Sequence, residues 1–248
     1  MAANQIDFRT ANPGSVRMDW GKRVLLGLSV LLLVRVLWQI LAAYADYLPP
    51  NFEEAPFLLG REEIFTTGYA VAFYVHLACG PFCLLSAVFL IASGSGSVSG
   101  RMLRKSGHRW VGRLHLLVLL FGLVPSGVIL AWNAHAGPIA AGGFLVLSLL
   151  TAVCGYTAGS AALRRRWSVH RLWAWRCFFL LLSPLLLRLT AGAAIVLDLE
   201  SPGFYQANAW LSWLVPLGAG ELLLNWNAVD PKKRCAQKPE THVEGQLL

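Results

Sequence analysis

The chain has 248 residues, of which 56% are hydrophobic and 14% charged, and it carries a formal net charge of +8. Its mean hydropathy of +0.55 lies outside the range of ordinary soluble domains, so much of its surface must face lipid. The five cysteines give no disulfide framework and no C-x-x-C: Cys79, Cys83, Cys154 and Cys177 fall in apolar runs and Cys235 in the C-terminal tail.

The chain opens on a polar stretch, residues 1–23, with Arg9, Arg17, Lys22 and Arg23. The apolar run behind it is longer than a signal-peptide core and lacks a small-residue cleavage site, so 1–23 is expected to remain as a cytoplasmic leader. Runs near the ~20-residue length of a transmembrane helix then recur at 24–45, 64–92, 109–133, 138–163, 172–197 and 205–226. The expected fold is all-α: a polytopic protein of six helices in a transmembrane domain, 24–226, with a polar cytoplasmic tail, 227–248.

The basic residues gather beside run ends, which argues for topology and against nucleic acid. Arg101, Arg104, Lys105, Arg109 and Arg113 surround the turn between the second and third runs. Arg164, Arg165, Arg166, Arg171 and Arg176 surround the turn between the fourth and fifth. The opposite side carries Arg61 alone among Asp46, Glu53, Glu54, Glu62, Glu63, Asp198 and Glu200. The positive-inside rule then puts both termini in the cytoplasm, in a multi-pass protein of a bacterial inner membrane. Trp20, Trp110, Trp132, Trp173, Tyr205 and Trp226 suit interfacial belts.

A shift of 62 residues superposes Gly80-x-Phe82-x-x-Leu85-Ser86 on Gly142-x-Phe144-x-x-Leu147-Ser148, and Arg104-x-Ser106-x-His108-Arg109 on Arg166-x-Ser168-x-His170-Arg171. Two parallel helical-hairpin repeats, approximately 64–125 and 126–187, are therefore expected to build a central four-helix bundle, with the first and sixth helices peripheral. Ser106 and Ser168 are expected to cap the third and fifth helices, which places His108 and His170 in first turns. Gly155-x-x-x-Gly159 is a spacing that lets helix backbones approach closely.

Ionisable groups are costly in hydrocarbon, which singles out Arg35, His76, His115, Arg188 and Glu221. By the ~1.5 Å rise per residue, His115 and Glu221 lie about 9 and 7 Å from the cytoplasmic ends of their helices, close enough in depth to pair. A b-type haem needs two imidazoles at one depth, or one with another axial ligand. His76 and His115 are candidate internal ligands of its iron, but they differ in depth by about 15 Å. His108 and His170 match in depth at the interface, where they would ligate only if the bundle opens. With Arg109, Arg113, Arg171 and Arg176 they also form a candidate inner-leaflet site for a phospholipid headgroup or a quinone. No Walker loop, dinucleotide fingerprint, H-E-x-x-H or G-x-S-x-G occurs, and Ser93-Gly94-Ser95-Gly96-Ser97 has the composition of a flexible turn.

The run Gly107-His108-Arg109-Trp110-Val111-Gly112-Arg113-Leu114-His115, with His76-x-x-x-Gly80 before it and Val169-His170-Arg171 after, resembles a bacterial family of membrane proteins, domain of unknown function 2306 (DUF2306). The resemblance covers roughly residues 60–200 and implies a multi-helix membrane protein with recurrent histidines, without an activity to carry over. The functional expectation is a membrane protein that binds haem b or quinone and takes part in electron transfer. A lipid-binding or accessory subunit of a larger membrane complex, a homo-oligomer, and a small transporter stay open beside it.

Overall fold

The computed structural model describes residues 44–53, 55, 57–94 and 101–229, with backbone alone at 101–105 and 225–229, and isolated positions between 20 and 42. The leader apart from Trp20, the turn residues 95–100 and the tail beyond 229 lie outside the described residues. The expected first span, 24–45, is described only at isolated positions and at its end.

Among the described residues all regular structure is helical, as a backbone in lipid requires when it must satisfy its own hydrogen bonds. In chain order the helices are α1 Thr67–Gly94, α2 Arg101–Val118, α3 Val124–Trp132, α4 Pro138–Leu163, α5 Trp167–Leu181, α6 Ser183–Val196 and α7 Pro202–Val229. A π-helical turn, Leu119–Leu123, joins α2 to α3 without a break, and a short 3-10 turn, Ala45–Tyr47, precedes α1.

Four helical stretches are long and apolar enough to cross a membrane: Thr67–Gly94, Ser106–Trp132, Pro138–Leu163 and Trp167–Val196. Between 22% and 33% of the most apolar window of each is buried inside the protein, so most of their apolar surface faces outward, toward what lipid would cover. α7 has 28 residues but interrupts its apolar run with Gln206, Asn208, Ser212 and Glu221 and is not among the four.

Helix ends differ from the serine-capped turns expected from the sequence. α2 begins at Arg101, so Ser106 lies inside it and His108 two turns in; Arg101, Met102, Leu103, Arg104 and Lys105 all favour helix and extend it past the apolar run. At the other turn, Arg165 takes φ 57° and closes α4 with bonds from its own N–H to the Ala162 carbonyl and from Arg166 N–H to Ala161. That left-handed residue throws the chain into α5 at Trp167, with Arg166 as N-cap; Ser168 sits in the first turn without capping it. The serine that does cap is Ser201, whose hydroxyl accepts the Phe204 N–H at 3.1 Å in the first turn of α7.

The core runs along the helix axes, from Cys83 on α1 through Leu119, Cys154 and Leu180 to Trp213 on α7. α7 therefore packs into the core, against α4, α5 and α6, where the sequence suggested a peripheral helix. Gly155 and Gly159 do bring backbones together: a Cβ on Gly159 would lie 2.5 Å from the side chain of Leu116 on α2.

At the end away from the arginine-rich turns, the described residues between Tyr44 and Thr66 fold over α1 as an aromatic plug built on Tyr47, Ala55, Leu58 and Phe73. Pro81 offers no N–H to the Leu77 carbonyl one turn before it, and the Tyr44 hydroxyl donates to that carbonyl at 2.7 Å. Arg61 is buried here: it donates to the Tyr69 hydroxyl at 2.7 Å and the Asn133 carbonyl at 3.0 Å, under the Phe57 ring.

Candidate functional site

At the basic end the helices part around a cavity of about 740 Å3, lined by His108 and His115 from α2 and by Trp167, His170, Arg171 and Trp175 from α5. Its volume lies in the ~300–1,000 Å3 range of sites that bury cofactor-sized molecules. Small residues make the room. His108 and His115 stand seven apart, two turns along one face of α2, and Gly112 between them places no side chain in the gap. Gly155, Ala158 and Gly159 supply an equally bare wall from α4.

The two histidines of the matched turns meet across this space. The His108 and His170 ring centroids are 6.4 Å apart, with their planes at 81°. Trp167, in the first turn of α5, sets its ring edge-on to His170 at 6.4 Å.

Each ring is held at Nδ1 by a protein oxygen. Ser86 Oγ lies 2.7 Å from the Phe82 carbonyl and 2.7 Å from His115 Nδ1. Ser93 repeats the arrangement, its Oγ 3.1 Å from the Leu90 carbonyl and 2.8 Å from His108 Nδ1. His170 Nδ1 is 2.9 Å from the Ala158 carbonyl and must be its donor. All three imidazoles around the cavity are thus oriented by a protein oxygen at Nδ1.

His76 belongs elsewhere. It lines a separate cavity of about 90 Å3 with Ser148, Thr151 and Pro184, and its Nδ1 faces Ser126 Oγ at 3.2 Å. The depth difference read from the sequence thus corresponds to two chambers, with His76 in one and His115 in the other. Glu221 does not pair with His115: it accepts from both Nε and Nη2 of Arg176, the latter at 3.1 Å. Arg176 also lies 4.8 Å over the Trp173 ring, so it is committed within the protein.

Of the four arginines expected around an anionic headgroup, Arg171 lines the cavity, Arg109 is exposed, and Arg113 is exposed and folds over Trp110 at 5.4 Å. Arg35 and Arg188 are exposed on their helices. Among the described residues no group of three histidine, cysteine, aspartate or glutamate side chains converges as for a bare metal ion. The serines that hold the histidines were not singled out from the sequence. Ser86 appears there as a repeat match and Ser93 as part of a flexible run, whereas Ser93 sits in the last turn of α1.

A family model described as a predicted membrane protein (DUF2306) matches residues 73–224, more than half of the 248-residue chain, and the chain belongs to that family. The match runs from α1 into α7. No curated protein and no solved structure matches the chain.

Proposed function

We propose that this DUF2306 protein is a membrane electron-transfer protein that binds a b-type haem in the cavity at its basic end, with His108 and His170 as the axial pair. The observation that carries the reading is the meeting of these imidazoles at a cofactor-sized cavity, each with Nδ1 against a protein oxygen. Metal-binding histidines characteristically donate their other ring N–H to a protein acceptor, which fixes the tautomer and raises ligand basicity. With ring centroids 6.4 Å apart, His108 and His170 are close enough that one bound group would be held by both. A haem brings four nitrogen donors of its own, so it needs two protein ligands rather than a cluster of three. Arg171 at the rim is suited to a propionate.

A quinone carbonyl or a lipid phosphate needs hydrogen-bond donors in the lining, and Arg171, Trp167 and Trp175 carry them, which makes quinone or lipid headgroup the second reading of the same cavity.

The topology proposed is six spans with both termini in the cytoplasm of a bacterial inner membrane, the first span at 24–45 and the sixth along α7. The charge asymmetry supports that orientation. Support for two hairpin repeats comes from their irregularities: α5 is interrupted at Leu182, and 182 − 62 falls on Leu120, inside the π-helical turn Leu119–Leu123. The deciding experiment is an oxidised and dithionite-reduced absorption spectrum of detergent-purified protein expressed with ample haem, followed by a pyridine haemochrome assay. A stoichiometric b-type spectrum is expected; a chain free of any Soret band would overturn the haem.

A further inference from the structure

The 90 Å3 chamber around His76 lies where all four long helices meet, lined by His76 and Gly80 on α1, by Leu123 and Val124 where the π-helical turn passes into α3, by Ser148 and Thr151 on α4, and by Leu180, Leu181 and Pro184 around the α5–α6 break. Its polar side chains share one property. Ser148 donates its hydroxyl hydrogen to the Phe144 carbonyl at 3.0 Å, and Thr151 donates to Leu147 at 2.7 Å. Ser126, beside the chamber, gives its hydrogen to the Gly122 carbonyl at 2.7 Å and leaves its oxygen 3.2 Å from His76 Nδ1. The chamber is thus rich in acceptors, and the hydrogens of its polar side chains are already spent.

A site of that kind is completed by a small molecule that brings hydrogens. Hydroxyl oxygens keep acceptor capacity after their hydrogens are given away, and a polar-lined space of about 90 Å3 has room for ordered water. We infer that the chamber is a hydration site, in which ordered water donates to His76, Ser148 and Thr151 and keeps the His76 ring in proton exchange with solvent from inside the apolar core. The site stands independently of the haem, because it uses none of the residues around the larger cavity.

The test is solid-state NMR of the full chain in lipid bilayers with 15N-histidine, His76 being assigned by comparison with His76→Gln. Transfer from water protons to the His76 ring is expected in the wild type. In Ser148→Ala/Thr151→Val that transfer is expected to fall several-fold, while Thr151→Ser, which keeps the hydroxyl, retains it. A wild-type ring that receives no magnetisation from water means a dry or lipid-filled chamber and overturns the proposal, as does an unchanged signal in the double variant. Circular dichroism and monodispersity of each variant separate loss of water from loss of fold. The haem spectrum is read from the same samples, so failure of one reading is visible apart from failure of the other.

Discussion

His108 and His170, at equivalent positions of two R-x-S-x-H-R turns 62 residues apart, face each other with ring centroids 6.4 Å apart and planes at 81°. α2 and α5 carry them, Ser93 and the Ala158 carbonyl orient them, and Gly112, Gly155 and Gly159 leave space beside them.

If these two rings are the axial pair, His108→Ala and His170→Ala each abolish the low-spin reduced spectrum, and His76→Ala leaves it intact. His115→Ala preserves it as well, because His115 lines the same cavity two turns deeper on α2 and is not the partner of either ring. Reduced-minus-oxidised spectra of the four purified variants make the comparison. Loss of the chromophore in His76→Ala or His115→Ala, with retention in the other two, would assign the ligands to the wrong pair.

The serines separate orientation from stability. Ser93→Ala removes the oxygen that holds His108 Nδ1, and loss of such an outer partner typically costs about 10–100-fold in metal affinity. Ser126→Ala removes the oxygen beside His76 Nδ1, far from the proposed ligands, and is expected to leave haem affinity unchanged while costing about 0.5–1.5 kcal/mol of stability for one lost hydrogen bond. Haem titration and thermal unfolding in detergent read the two effects. Equal haem affinities in the two variants would show that Ser93 does no orienting.

How much of this was legible in the sequence depends on the distance over which each signal acts. The apolar runs behind four long helices are local and could be read directly, as could the small-residue pair Gly155 and Gly159 that seats α2 on α4. The matched turns located His108 and His170, because a repeated sequence implies a repeated environment. Which histidines share a cavity depends on helix rotation, which run boundaries do not fix. α2 starts before the apolar run and reaches back to Arg101, so depth counted from the run end misjudges His108 and His115 alike. The pairing of Glu221 with Arg176 joins two helices 45 residues apart, and no local pattern announces it.

That pair makes a third prediction. Its side chains are 26% and 32% exposed on the flank of α5 and α7. Facing lipid, an ion deprived of its partner has little water to retreat to. Glu221→Gln or Arg176→Met alone is expected to destabilise the protein by a few kcal/mol, in the ~3–5 kcal/mol range for breaking pairs shielded from water, discounted for partial exposure. Arg176→Met/Glu221→Leu is expected to recover most of that loss, since an apolar pair of similar volume needs no desolvation. A double-mutant cycle on thermal unfolding measures the coupling, and additive single effects would mean that the charges do not depend on each other.

The orientation follows from where the arginines lie. Reporter fusions after residue 229 and in the turn at 164–166 are expected to report the cytoplasm, and one in the loop around Glu62 the opposite side. Replacing Arg164, Arg165 and Arg166 by neutral residues is expected to raise the fraction of inverted molecules without changing α4 or α5, because charge bias chooses orientation after helix formation is already favoured. A fusion at Glu62 that reports the same side as the C-terminal fusion would invalidate the six-span topology.

Gly159→Ala sets two opposing effects against each other. A helix interior gains up to about 1 kcal/mol when alanine replaces glycine. Against this, the new methyl would stand 2.5 Å from the Leu116 side chain and 3.6 Å from a second Leu116 methyl, which is overpacking, typically worth about 1–3 kcal/mol. The expected net change is a loss of about 1 kcal/mol in thermal unfolding. Leu116 lines the cavity with His108 and His115. Its simplest escape from the methyl is to turn into that cavity, so haem content should fall more than stability does. If stability drops while haem binding holds, Leu116 yields away from the cavity and the small residues of α4 serve helix packing alone; if both are unchanged, α2 and α4 are not in close contact at Gly159.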